Sequence, residues 1–300
     1  NSFINYLERV ENVGRKKISF HNFEKETIKR YQTWMIMEQG LAPKTCNLRL
    51  TAIRAFLEYA AQEYLWIMPV YTDACTIVGV KTTNHAIEYF EPNEMTALLA
   101  APSGNNKTDR RNQMMLIFLY DTAARVAEAR QVKVSDLHLD AEVPYVTLLG
   151  KGRKYRNIPL MDKTILHLKR FLKDFHGSEL KTDMPLFYSK IHGQVHELSS
   201  DTFEKMIKRY AAQCRAGGYS MPDNVHCHMI RKTRAMDLYR EGVPLTHIQQ
   251  LLGHENISTT SGFYAFATLD VLAKAMETVN PDNGVKSWSN PDTLERLYRL

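Results

Sequence analysis

The chain has 300 residues, of which 44% are hydrophobic and 24% are charged, so it is long enough for two globular domains with separate cores. The formal net charge of +6 suits a polyanionic partner, although an ordinary, mildly basic globular protein would also carry it. The four cysteines form no Cys-x-x-Cys pair and no apolar run has membrane-spanning length, which argues against a zinc ribbon, a disulfide framework and a membrane protein.

The N-terminal part of the chain, up to about residue 75, is predicted to be helical. A first amphipathic helix covers residues 23–39 and ends at Gly40, and its apolar face consists of Ile28, Tyr31, Trp34 and Met35. A second helix begins near Pro43, and its apolar positions are Leu48, Ile53, Phe56, Leu57 and Ala60. On its other side lie Lys44, Arg49 and Arg54, which form either a polyanion-binding surface or an ordinary solvated face.

Residues 70–91 lose this periodicity and carry turn-forming residues, which indicates a connecting segment. We therefore predict an N-terminal domain at residues 1–80 and a linker at residues 81–91. Glu91-Pro92-Asn93-Glu94 then predicts the start of a helix. The run from Met114 to Tyr120 is apolar on all sides and predicts a buried helix.

Residues 143–160 change to a β-type pattern. Residues 143–149 are β-prone, Gly150-Lys151-Gly152 predicts a turn, and residues 156–160 can return as a second strand, which places Lys151 at the tip of a hairpin. Helices resume near Lys163 and continue to about Val279. After a break at residues 280–284, a short amphipathic tail covers residues 290–300.

Arg125 is the first of several residues whose side chains suit a phosphate group. A guanidinium holds two phosphate oxygens through its planar fork, which a lysine cannot do. Glu128 lies three residues later, so the two side chains can share a helix face. In isolation, Arg125 is equally compatible with an ordinary surface arginine.

Lys151 could protonate a departing oxygen from the hairpin tip, although a basic turn without catalytic function has the same sequence. The segment lacks the Gly-x-x-x-x-Gly-Lys-Ser/Thr pattern of a P-loop. Lys154 and Arg156 follow in the same hairpin and are predicted to contact a phosphate backbone.

His228 and Arg231 lie three residues apart, so on a helix both side chains can reach the same phosphate. A purely structural His–Arg pair is one alternative. A metal site at His226, Cys227 and His228 is another, but the i, i+2 spacing of the two histidines makes them diverge on a helix.

The segment Leu252-Gly253-His254 precedes Thr259-Thr260 and Tyr264. A histidine can donate a hydrogen bond to an anion, and a tyrosine hydroxyl can act as a nucleophile. The stretch from Pro244 to Tyr264 could also be a helix-turn-helix with Gly253 at the turn. That alternative does not account for Arg125, Lys151 and the His228–Arg231 pair.

Taken in chain order, these motifs resemble those of the tyrosine recombinase, or phage-type integrase, family. The segment around Arg125 is similar to the family's Thr-Gly-x-Arg-x-x-Glu box, with Ala123 in place of the usual glycine. Lys232 stands where many members have a second histidine. Tyr264 follows His254 by ten residues, as in some members of the transposon-integrase branch, whereas the commoner spacing of nine would fall on a phenylalanine.

The resemblance implies a mostly α fold with a small antiparallel β-sheet. A helical core-binding domain at residues 1–80 and a catalytic domain at residues 92–284 would form a C-shaped clamp around duplex DNA. Tyr264 would form a 3′-phosphotyrosyl bond and Lys151 would act as general acid, and no metal or other cofactor is implied. The phosphate would be held by Arg125, Arg231, His228 and His254. The predicted DNA contacts are Lys44, Arg49, Arg54, Lys154, Arg156 and Lys232.

The implied partners are double-stranded DNA recombination sites and a homotetramer assembled on paired sites, with accessory proteins left open. Residues 285–300 would form a tail that docks in trans through Leu294, Leu297 and Leu300. We expect a cytoplasmic, nucleoid-associated prokaryotic protein from a mobile genetic element, and a start at Asn1 rather than Met is compatible with a preceding arm-binding segment. The alternatives are a non-catalytic DNA-binding protein of the same fold and a type IB topoisomerase-like enzyme.

Overall fold

The structure is a computed structural model that describes residues 2–82, 88–102, 106–177 and 182–253. The chain divides into two compact units, Asn1–Ala86 and Ile87–Leu300. The predicted linker at 81–91 and the predicted end of the catalytic domain at residue 284 stay predictions, because residues 83–87 and 254–300 lie outside the described residues.

The first unit is helical, as predicted. Its helices are α1 (Ser2–Arg9), α2 (Lys25–Met37), α3 (Pro43–Glu63) and α4 (Met68–Cys75). Gly40, at a φ of +58°, reverses the chain after α2, so that the amide of Leu41 donates to the carbonyl oxygen of Met35 over 3.0 Å. Pro43 then opens α3, where a missing N–H costs nothing.

The core of the first unit confirms most of the predicted apolar faces. Ile28, Met35 and Leu57 are completely buried, whereas Phe56, which stacks on Phe20, is 46% exposed and does not belong to the buried face. The prediction for Leu48 is wrong, because this side chain is 71% exposed. Leu48 lies two residues from both Cys46 and Leu50, which are buried, and a helix with about 3.6 residues per turn places it on the opposite side.

The second unit combines helices with two small antiparallel sheets. Its helices are α5 (Pro92–Ala100), α6 (Lys107–Thr122), α7 (Val126–Gln131), α8 (Asp162–His176), α9 (Ser200–Ala216), α10 (Cys227–Arg240) and α11 (Leu245–Leu252). Helix α6 is its central element and packs against α8 and α10. The predicted burial of the run from Met114 to Tyr120 is confirmed, and Phe118 packs edge-on against Phe187, which also contacts Phe171 and Phe203.

The first sheet contains β1 (Leu137–His138), β2 (Tyr145–Leu149) and β3 (Tyr155–Pro159) in that order. Strands β2 and β3 form the predicted hairpin, in which Leu149 pairs with Tyr155 and Val146 pairs with Ile158. Val146, Leu148 and Ile158 point into the core, which attaches the hairpin to the helices. A second hairpin, β4 (Tyr188–Ile191) with β5 (Gln194–Glu197), was not predicted from the sequence.

A small apolar cluster lies where α6, α10 and α11 end or cross. It consists of Ala123, Ala235, Met236, Ile248 and Leu252. This cluster places the end of α6 beside the last turn of α11. Among the helices in the four described ranges, none has the length and hydropathy that a membrane crossing requires.

Candidate functional site

The site begins at a sharp turn after α6. Ala123, the residue that follows this helix, has φ +49° and ψ +28° and is completely buried. This left-handed conformation costs a residue with a Cβ atom about 1–2 kcal/mol, which explains why a glycine suits the position. The hydroxyl of Thr122 supports the turn by accepting from the amide of Ala124 over 3.2 Å. The turn directs the chain from the core to Arg125.

Arg125 caps the start of α7 and pairs with Glu128. Its Nη1 atom lies 2.8 Å from Glu128 Oε1, and its backbone amide donates to Glu128 Oε2 over 2.7 Å. The two side chains meet as predicted, but not on a helix face, because Arg125 has an extended backbone and precedes the first residue of α7. Because the guanidinium of Arg125 remains 34% exposed, it can still meet an anion from solvent.

Glu128 is the buried carboxylate around which three arginines meet. Arg156 donates to it twice, from Nη1 to Oε1 over 2.9 Å and from Nη2 to Oε2 over 2.7 Å. Arg231 Nη1 lies 4.0 Å from Oε2. Burial alone would raise the pKa of Glu128, but the hydrogen bonds from Arg156 and Arg125 outweigh burial and lower this pKa to about 2.

Arg231 lies on α10 and is 97% buried, with 3% of its side chain exposed. Its Nη1 atom donates to the carbonyl oxygen of Ala123 over 2.7 Å, and its Nη2 atom donates to that of Leu252. One guanidinium therefore connects the turn after α6 with the last residue of α11. The sequence predicted that Arg231 would lie near Arg125, but it did not predict these two carbonyl partners.

His228 occupies the first turn of α10, three residues before Arg231. Although the residue is exposed overall, desolvation of the ring by surrounding side chains is the largest influence on its pKa. The positive charges of Arg231 and Lys232 act in the same direction. Together these effects lower the pKa of His228 to about 4, so the imidazole is neutral at pH 7. An anion placed among these cations would reverse the electrostatic part of that shift.

Lys151 is the first residue of the turn Lys151–Arg153 at the tip of the β2–β3 hairpin, and it is exposed. Gly152 has a φ of +73°, a conformation that favours a residue without a Cβ atom at this tight turn. The amide of Gly150 donates to the carbonyl oxygen of Lys154 over 2.8 Å and closes the base of the turn. The hairpin therefore presents Lys151 to solvent from a well-supported tip.

The two remaining predicted catalytic residues, His254 and Tyr264, lie outside the described residues. The structure does describe the approach to them, because α11 ends at Leu252 and Gly253 has a φ of +60°. Leu294, Leu297 and Leu300 of the predicted tail also lie outside the described residues. Among the described residues, no group of three His, Cys, Asp or Glu side chains could hold a metal ion, and this includes the alternative set of His226, Cys227 and His228.

Comparison with known proteins identifies the family. Residues 88–268 match the model of the phage integrase family, and residues 1–73 match that of the phage integrase SAM-like domain. The chain belongs to the phage integrase family, that is, to the tyrosine recombinases. Its relatives include the tyrosine recombinase XerD of Halalkalibacterium halodurans, which is 32% identical over 81% of this chain and 77% of the relative.

Two solved structures show the same fold. The Tn1549 transposon integrase in complex with circular intermediate DNA has a TM-score of 0.66 at 19% identity, over 92% of this chain and 98% of that chain. A lambda integrase tetramer bound to a Holliday junction has a TM-score of 0.60 at 19% identity, over 87% of this chain and 70% of that chain. These likenesses confirm the predicted mostly helical fold with small antiparallel sheets.

The residues predicted to contact DNA in the recombinase differ in their surroundings. Lys44 is exposed and Arg49 is half-buried on α3. Arg54 donates from Nε to the carbonyl oxygen of Ala74 over 3.1 Å and from Nη2 to that of Ile77, so its guanidinium supports the end of α4. DNA contact by these three residues stays a prediction.

In the second unit, Lys154 is exposed and Lys232 is half-buried. Arg156 is only 13% exposed and is paired with Glu128. DNA contact by these residues also stays a prediction. The sequence did not predict that Glu128 would be the shared partner of three arginines. Its only indication was the spacing of three residues between Arg125 and Glu128.

Proposed function

We propose that this chain is a site-specific DNA recombinase that cuts and rejoins strands through Tyr264. The observation that supports this most directly is the convergence of Arg125 and Arg231, which are distant in sequence, on the same buried carboxylate of Glu128. Glu128 neutralises part of their charge and restricts both guanidiniums. Such restricted guanidiniums can hold the non-bridging oxygens of one phosphate with little reorganisation.

The proposed reaction is a transesterification. The Tyr264 hydroxyl attacks phosphorus, a 3′-phosphotyrosyl bond forms, and the bond to the 5′ oxygen breaks. Lys151 gives a proton to this departing oxygen. The 5′ hydroxyl of a partner strand then attacks the phosphotyrosyl bond and releases Tyr264. Two such rounds pass through a Holliday junction and conserve the energy of the phosphodiester bond.

The remaining site residues complete the binding of the phosphate. His228, neutral at pH 7, can donate one hydrogen bond to a phosphate oxygen from the same helix as Arg231. We assign His254 to the same task, because it follows Leu252 by two residues and the carbonyl oxygen of Leu252 accepts from Arg231. The resulting set supplies positive charge and hydrogen bonds where charge develops during the reaction.

We also propose that the enzyme acts as a homotetramer on paired recombination sites, in the bacterial cytoplasm and on the DNA of a mobile element. The lambda integrase tetramer, which shares the fold, supports this assembly. The predicted tail at residues 285–300 would dock on a neighbouring copy. Deleting it should weaken junction complexes more than the binding of one copy to DNA, and equal junction complexes from truncated and full chains would contradict this role.

The proposed function is tested with a nicked DNA duplex from the ends of its element, incubated with the protein in EDTA. We expect a covalent protein–DNA band on a denaturing gel that disappears in Tyr264→Phe. Tyr219→Phe, a matched change at an exposed tyrosine after α9, should leave the band unchanged. A band that survives Tyr264→Phe would place the nucleophile elsewhere. Tight binding without any band would favour a non-catalytic DNA-binding protein, and supercoil relaxation without junctions would favour a topoisomerase.

A further inference from the structure

Arg156 uses its side chain within the protein rather than towards solvent. It lies on β3 opposite Leu148, and its guanidinium forms a two-pronged pair with Glu128 over 2.9 and 2.7 Å. Its third nitrogen, Nε, donates to the carbonyl oxygen of Leu251 over 3.0 Å. Each nitrogen of the side chain therefore has a protein partner, and these partners belong to two separate helices.

The pair also lies directly against the hairpin tip. A Cβ atom added to Gly150 would come within 3.2 Å of Arg156 Nη1 and 3.6 Å of Glu128 Oε1. The backbone of Gly150 therefore packs closely on the ion pair, and a side chain there would require Arg156 Nη1 and the carbonyl oxygen of Lys154 to shift slightly. Gly150 immediately precedes Lys151, so the guanidinium packs against the residue at which the turn that carries Lys151 begins.

The other side of the guanidinium meets the end of α11. A Cβ atom at Gly253 would lie 3.2 Å from Arg156 Nη1 and 3.3 Å from its Cδ. Arg156 is thus enclosed between two glycines, one before Lys151 and one before His254.

We propose that Arg156 is a positioning residue that holds the hairpin tip carrying Lys151 in register with the Arg125–Glu128 pair. This inference rests on the proposed function, because it assigns Arg156 an effect on proton transfer by Lys151. Arg156 touches neither the nucleophile nor the leaving oxygen in this role. It acts by setting the place of the Gly150 backbone.

An arginine is required for this arrangement. A lysine has one ammonium group and cannot reach both carboxylate oxygens and the Leu251 carbonyl at once. Replacing Arg156 with lysine therefore keeps the charge but removes the fork. A displacement of about 1 Å at a reacting group can slow a reaction by about 100-fold.

The test compares Arg156→Lys with wild type in single-turnover cleavage of a nicked duplex. The protein is in excess of the DNA, at a concentration above its Kd for the duplex. We expect the rate of covalent-complex formation to fall by about 100-fold while DNA affinity and its salt dependence stay unchanged. Arg153→Lys, the same change at an exposed position of the same hairpin, is the matched control and should cleave at the wild-type rate.

A second substrate distinguishes positioning of Lys151 from a general structural defect. It carries sulfur in place of the departing 5′ oxygen, and a thiol with a pKa of about 8.5 leaves without a proton donor. If Arg156 acts through Lys151, this substrate should restore at least about 10-fold of the rate lost in Arg156→Lys. A rate equally low with both substrates, or no loss in Arg156→Lys, would overturn the inference. A weaker Kd with a smaller salt slope would overturn it as well, in favour of a direct phosphate contact.

If Arg156→Lys does not fold, Gly150→Ala provides the same test. Its added methyl group would press on Arg156 Nη1 and on the carbonyl oxygen of Lys154 without changing any charge, and we expect slow cleavage that the sulfur substrate restores. Cleavage by Gly150→Ala at the wild-type rate would overturn the inference. The absence of a covalent band with wild-type protein would instead contradict the proposed function, so the two failures are distinguishable.

Discussion

The carbonyl oxygen of Ala123 accepts a 2.7 Å hydrogen bond from Nη1 of Arg231. The carbonyl is turned towards Arg231 because Ala123 adopts a left-handed conformation at φ +49°. A strained backbone position thereby fixes one of the two arginines assigned to the phosphate. The same turn delivers the other, Arg125, two residues later, so both arginines depend on one change of chain direction.

The strain at Ala123 predicts an unusual response to glycine. Ala123→Gly should change the free energy of unfolding by less than about 1 kcal/mol, because relief of the left-handed conformation offsets the lost methyl burial. Ala129→Gly is the matched control, since Ala129 is equally buried but lies within α7. It should lower the free energy of unfolding by about 1–2 kcal/mol in urea denaturation. Equal losses in the two variants would contradict the strain.

The low pKa of Glu128 predicts a defined dependence of stability on pH. Because this pKa is about 2 in the folded protein and 4.5 in the unfolded chain, the charged carboxylate stabilises the fold above pH 4.5. That contribution, on the order of 3 kcal/mol, should be lost as the pH falls from 4.5 towards 2. In urea denaturation at several pH values, the difference between wild type and Glu128→Gln should shrink over this window. Glu197→Gln, at an exposed position of β5, is the control.

The pKa of His228 is low in the free protein and should rise when DNA binds. In the free protein its imidazole should titrate with a midpoint at about pH 4 in NMR spectra. A bound phosphate counteracts the charges of Arg231 and Lys232, so the pKa of His228 should rise on DNA binding. His228 then takes up a proton when DNA binds. DNA affinity should therefore increase as the pH falls from the pKa of His228 in the complex towards 4. His228→Gln should remove this pH dependence, and an unchanged pH dependence in that variant would contradict the assignment.

Replacing Lys44 or Arg54 of α3 with glutamine should have different effects, on DNA binding for Lys44 and on stability for Arg54. Lys44 is exposed, and as a backbone contact its loss should weaken DNA binding and reduce the slope of log K against log salt by about 0.9. Arg54 supports the carbonyl groups of Ala74 and Ile77, so its loss should lower the free energy of unfolding by about 1–3 kcal/mol. Salt titrations and urea denaturation of both variants measure the two effects. An unchanged salt slope in Lys44→Gln would remove Lys44 from the DNA contacts.

The sequence alone determined the elements that depend on neighbouring residues. The buried run of α6 follows from continuous apolar residues, and the hairpin around Lys151 follows from β-prone segments that flank Gly150 and Gly152. The motifs around Arg125, His228 and His254 were visible because each is a short pattern in which the residue types carry the chemistry. Leu48 was misplaced because two registers of apolar residues overlap in α3, and only packing decides which one is buried.

Tertiary structure alone decided how the basic residues are used. In the sequence, Arg156 looks like Lys154, a basic residue in a hairpin, yet the fold pairs Arg156 with Glu128 and leaves Lys154 exposed. Arg54 and Lys44 differ in the same way, because Arg54 donates to the carbonyl oxygen of Ala74 whereas Lys44 is exposed. The physical reason is that a buried charge needs a partner, and partners such as Glu128, Leu251 and Ala74 come from parts of the chain that no local pattern connects.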